Sequence, residues 1–142
     1  MHGTRFGIAA VLALAGLFAS PARADDDETI DLSKVPAVVK KAAERAAPGV
    51  KWTRATRETE NGQTIYELSG TDAEKIEIEV EVTAAGKVIE VETEVQLSEI
   101  PKAVIAAARA KYPTFTPTEG EKVVRDGKLY AHDLEGKLDK IG

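Results

Sequence analysis

The chain has 142 residues, of which 30% are charged, 43% hydrophobic and only 5% aromatic; that mixture suits a soluble protein with an aliphatic core, in one domain or two small ones. Its 19 basic and 24 acidic residues leave a net charge of −5, which argues against nucleic acid as a partner, because a phosphate backbone needs clustered cations. There is no cysteine, so disulfides and thiolate chemistry are excluded.

Met1 to Arg5 is a short basic stretch, and Phe6 to Ala19 is an unbroken run of apolar and small residues. Ser20-Pro21-Ala22-Arg23-Ala24 ends in the small-x-small pattern of a signal-peptidase site. The run is short for a bilayer span, so residues 1–24 read as a secretory signal cleaved after Ala24. No membrane span is expected after cleavage, and the product is periplasmic or secreted. Cleavage removes Arg5 and Arg23 and no acid, which leaves 17 basic against 24 acidic residues, a net charge of −7.

Residues 25–31 open with Asp25-Asp26-Asp27-Glu28 and read as an acidic, disordered segment. Four adjacent acids offer no turn geometry that would converge them on a cation. Leu32-Ser33-Lys34-Val35-Pro36 then opens a helix, with Ser33 placed to cap it and Pro36 in the first turn, where no backbone donor is needed. Val35, Val38, Val39, Ala42, Ala43 and Ala46 form one apolar face. Ala47-Pro48-Gly49 ends the helix.

Val50 to Glu60 reads as a strand, and Asn61-Gly62 as a type I′ hairpin turn. Gln63 to Ser69 returns as a second strand with Tyr66 and Leu68 facing the core; Gly70-Thr71-Asp72 is a loop. From Lys75 to Val95 apolar and charged residues alternate on both sides of Thr83-Ala84-Ala85-Gly86, as in a β-hairpin with one dry and one wet face. Ile76, Ile78, Val80 and Val82 are expected on the dry face, joined by Ile89, Val91 and Val95. Glu77, Glu79, Glu81, Glu90, Glu92 and Glu94 are expected on the wet face.

The pattern then recurs at an offset of 65. Leu97-Ser98-Glu99-Ile100-Pro101 repeats Leu32 to Pro36, and Ile100, Ala103, Val104, Ala107 and Ala108 repeat the helical face. Tyr112-Pro113 matches Ala47-Pro48, Asp126-Gly127 matches Asn61-Gly62, and Tyr130 matches Tyr66 with one residue deleted. No second glutamate hairpin follows Leu134. The expected fold is therefore α+β, two tandem helix-plus-antiparallel-sheet repeats: αββββ over 32–96, then a truncated αββ over 97–142. The shortened second sheet would leave an edge open to a partner strand or a second copy, which makes a homodimer.

This unit of Leu-Ser-x-[Val/Ile]-Pro, Ala-rich helix, Pro, strand, Asn/Asp-Gly and Tyr-bearing strand resembles the PepSY-like, or beta-lactamase-inhibitor-like, family. The resemblance covers roughly Leu32 to Leu134. It implies helices packed on antiparallel sheets, export to the bacterial envelope, no catalytic site, and binding or restraint of a peptidase. The inhibitors of that kind grip their enzymes with aromatic side chains on an exposed sheet face. Here the corresponding face is glutamate.

Catalysis finds little to work with. The mature chain has one histidine, His132, and three serines, Ser33, Ser69 and Ser98, all with structural duties available. No cofactor motif and no dedicated metal-ligand set is present. The six glutamates admit three readings: a solvated face that resists edge pairing, a docking surface for a basic partner, or a loose divalent-cation site. Lys51, Arg54 and Arg57 would neutralise part of the face if their strand lies alongside. Trp52 and the two matched tyrosines, Tyr66 and Tyr130, read as core. The function expected is an exported, non-enzymatic binding module that restrains a peptidase or other envelope enzyme through its sheet. The alternative is a cation-binding or structural envelope protein with no dedicated enzyme partner.

Overall fold

A computed structural model describes residues 27–139 and the backbone of Gly7–Ile8. Apart from that pair, the expected signal peptide lies outside the described residues, as do Asp25 and Asp26. The described chain runs β1 (Glu28–Ile30), a 3-10 turn (Leu32–Lys34), α1 (Ala37–Ala46), β2 (Lys51–Glu60), β3 (Gln63–Thr71), β4 (Glu77–Thr83) and β5 (Val88–Val95). A second 3-10 turn (Leu97–Glu99), α2 (Lys102–Lys111), β6 (Phe115–Arg125) and β7 (Lys128–Leu138) follow.

The α+β class fits, but the two expected helix-plus-sheet repeats do not form. All seven strands join one antiparallel sheet in the order β7-β6-β5-β4-β3-β2-β1, and Gly7–Ile8 pairs outside β7 with Glu135 and Leu134. What recurs is the helical motif: each 3-10 turn and each helix has its counterpart 65 residues on. A strand also precedes each turn, Glu28–Ile30 before Leu32 and Val88–Val95 before Leu97. The segment over 25–31 is thus not wholly irregular, because Glu28–Ile30 pairs antiparallel with Ala55–Arg57.

The motif's onset also differs from expectation. Ser33 does not cap a helix. Asp31 caps the 3-10 turn, accepting from the Ser33 N–H at 2.8 Å, and these contacts with Ser33 hold the Asp31 carboxyl below the usual carboxylate range. In the second motif Gln96 and Glu99 form a reciprocal capping box, with Gln96 N–H donating to Glu99 Oε2 at 2.9 Å. Each α-helix then starts after a proline, whose carbonyl accepts the first helical bonds: Val39 and Lys40 donate to Pro36, Val104 and Ile105 to Pro101. Asn61-Gly62 and Asp126-Gly127 adopt the positive φ pairs that a type I′ turn demands, 49° with 76° and 49° with 72°.

The described residues fall into two compact units, 27–93 with 124–128, and 94–123 with 129–139. In the first, Val39, Ala42 and Ala43 of α1 bury against Ala55, Tyr66, Leu68, Val80 and Val82. Fully burying a Val or Leu side chain contributes about 1.5–3 kcal/mol, so this cluster is the unit's main source of stability. Val38, expected on the buried face, is 44% exposed at its rim. The β4–β5 register shifts after Glu81: Glu81 faces Glu90 but Val82 faces Val88, which leaves Ile89 as a bulge residue. Val88 and Val91, rather than Ile89, therefore pack on this core, and Val95 belongs to the second one. There Ile100, Val104 and Ala108 bury against Phe115 and Leu134. Tyr130, expected in the core like Tyr66, is 39% exposed.

Two glycines hold the same kind of place, one in each unit. A Cβ on Gly70 would lie 2.2 Å from the Lys51 carbonyl oxygen; one on Gly136 would lie 2.1 Å from that of Thr116. Lys51 and Thr116 are again 65 apart. Only glycine lets the backbones meet so closely.

Candidate functional site

In an antiparallel sheet, residues paired across strands share a face. Ala55, Leu68, Val80 and Val91 form one such row, and it faces α1. The rows on either side of it therefore point to the opposite face. One is Arg54–Ser69–Glu79–Glu92; the other is Thr56–Glu67–Glu81–Glu90. Glu79 stands directly opposite Glu92, and Glu81 stands between Glu67 and Glu90. Each directly opposed like-charge pair disfavours the sheet by roughly 0.2–1 kcal/mol unless a partner offsets it.

Four of the six expected glutamates, Glu79, Glu81, Glu90 and Glu92, are thus brought together in the first unit. Glu77 pairs with Thr71 at the start of β4, and Glu94 lies on β5 in the second unit. The wet face expected for them is not open to solvent. Glu81 and Glu90 are buried, at 8% and 5% exposure, and the other four are half-buried. The alternation puts these glutamates opposite the row that faces α1, but it says nothing of what buries them.

Polar partners on other strands meet these carboxylates. Ser69, at the end of the expected strand, is buried, and its hydroxyl donates to Glu79 Oε1 at 3.3 Å. Arg125, next to the second turn, donates from Nε to Glu90 Oε2 at 2.7 Å. Glu67 was discoverable, since it sits between the core residues Tyr66 and Leu68 and must point the other way. Glu67, Glu77, Glu81, Glu92 and Glu94 each make further polar or charge interactions.

Of the three cations expected to neutralise the face, Arg54 lies in its row with Ser69 and Lys51 pairs with Thr71. Arg57 lies on the other face, in register with Tyr66, and forms an ion pair with Glu28. Ser33 and Ser98 are exposed in the 3-10 turns, and His132 lies on β7. Trp52 packs on the first core as expected, with its indole Nε1 buried and without a hydrogen bond among the described residues. No helix among the described residues is long and apolar enough to cross a membrane.

No protein-family model and no curated protein matches the chain. Among solved structures, a candidate periplasmic protein of the DUF2874 family from Bacteroides vulgatus is 18% identical over 78% of this chain and 98% of its own, with a TM-score of 0.39.

Proposed function

We propose that this chain is an exported, non-enzymatic binding module that docks a cationic protein surface on the acidic face of β3, β4 and β5. The observation that carries the reading is the register of Glu67, Glu79 and Glu92, half-buried carboxylates on three adjacent strands beside the buried Glu81 and Glu90. Strands fix these groups without the entropy loss that flexible side chains on loops would incur. Charge complementarity with a cationic surface steers encounter and sets orientation. The resemblance of the motif to PepSY-like domains supports a peptidase or other envelope enzyme as the partner, and the N-terminal sequence supports export.

The test is capture from an envelope extract on the immobilised mature chain, beside a variant with Glu77, Glu79, Glu90 and Glu92 changed to Gln. The expected result is a peptidase or cell-wall enzyme retained by the wild type, released by salt, and lost with the variant. Retention by neither chain, or equally by both, overturns the docking reading. Glu79 opposite Glu92 also favours a second reading, a divalent-cation site on a structural envelope protein. Saturable calcium binding that disappears in the same variant would select it.

A further inference from the structure

A separate polar recess lies at the β2–β3 end of the first unit, away from the glutamate rows. Its donors come from one face of the sheet. Arg57 is in register with Tyr66, and Thr59 with Thr64 in the next row of the same face. Arg57, Tyr66, Thr59 and Thr64 thus line a recess of about 440 Å³, together with Glu28 and Glu58. The guanidinium, held in its charged form first by Glu28 and then by Tyr66, forms an ion pair with the Glu28 carboxylate. Arg57 matches a carboxylate with a planar fork of donors, and the hydroxyls supply further bonds.

Glu28 arrives on a short strand at the edge of the sheet. β1 has three residues, and it pairs with only Ala55, Thr56 and Arg57 of the ten-residue β2. Both Glu28 and Thr29 are exposed. A strand this short at a sheet edge is readily displaced by another extended segment.

We propose that the Arg57 recess is a carboxylate-recognition site for an acidic, extended segment of a partner protein, and that Glu28 is its resident ligand in cis. An incoming strand would pair with the β2 edge in place of β1 and set its own carboxylate on Arg57. This site is independent of the glutamate rows and does not rest on the docking reading above.

The test uses the full chain carrying Glu28→Ala and, as probe, the free peptide Asp-Glu-Thr-Ile-Asp, which matches residues 27–31. Binding is followed by the NMR resonance of the Arg57 Nε–H group, which detects weak complexes. The expected result is saturable binding to Glu28→Ala about threefold tighter than to wild type, because the resident carboxylate, an exposed partner of Arg57, no longer competes. A peptide with Gln in place of its Glu should bind correspondingly more weakly. A Glu28→Ala/Arg57→Gln chain, followed by backbone amides of β2, should not bind. The proposal is overturned if folded Glu28→Ala shows no saturable shift, if wild type binds equally well, or if binding survives Arg57→Gln.

Discussion

Glu81 and Glu90 stand directly opposite each other on β4 and β5, both nearly out of solvent, with Arg125 Nε 2.7 Å from the Glu90 carboxylate. Two like charges in register at a buried position are tolerable only when their surroundings offset them. Arg125 is one such offset, although its own side chain is 42% exposed, so water screens part of the attraction.

Arg125→Gln should therefore destabilise the fold by about 1–2 kcal/mol, less than the cost of breaking a fully buried pair. Adding Glu90→Gln to that variant should recover part of the loss, because it removes a buried charge and its repulsion by Glu81. Urea unfolding of the two single variants and the double variant checks this; simple additivity would contradict it.

The Asp31 cap gives a prediction in pH. Its folded carboxyl lies below the ordinary value of 3.8, so the stability it contributes is fully present above that value and is lost as pH falls through the lowered one. Asp31→Ala should lower the thermal midpoint at neutral pH. The gap from wild type should close in acid, at pH values below 3.8. A gap that stays constant down to that range would mean that the carboxylate charge is not what caps the turn.

Gly70→Ala and Gly136→Ala should each destabilise by about 1–3 kcal/mol, because the new methyl meets a backbone carbonyl that no side-chain rotation can move. In Gly62→Ala and Gly127→Ala the methyl meets nothing within 4 Å, so the loss there comes from positive φ alone, about 1–2 kcal/mol. Denaturant midpoints separate the two classes only if the steric pair loses more.

Trp52 is the single tryptophan, and its indole packs on the first core. Its emission should be blue-shifted and resist quenching by acrylamide in the native state. Trp52→Phe should cost less than Trp52→Ala, since a phenyl ring keeps most of the packing and leaves no indole N–H to bury unpaired. Fluorescence and thermal melts of the two variants check both points.

Much of this was legible in the chain. The Asn61-Gly62 and Asp126-Gly127 turns, the ends of both helices and the facing of Tyr66 and Leu68 follow from turn chemistry and period. The bulge at Ile89 does not, because Ile89 keeps step with Glu90 and Val91 and only the adjacent Val88 breaks the period. The burial of Glu81 and Glu90 does not either, since the alternation of one hairpin says nothing of a group such as Arg125 that reaches Glu90 from another strand. Tyr130 matched Tyr66 in sequence but not in environment. The single sheet was missed for a related reason: the motif was read as starting at Leu32 and Leu97, whereas each copy begins with the strand before.

The strand order has one more consequence. From β1 to β7 every strand lies beside its neighbour in the sequence, and the one distant pairing is that of Gly7–Ile8 with β7. From β1 to β7 the longest closures are those spanned by α1 and α2, and the remaining ones are tight hairpins. Loop-closure entropy is therefore small at each step, and such topologies fold fast for their strand content. A polypeptide delivered N-terminus first can zip each strand from β2 to β7 onto the last as it emerges.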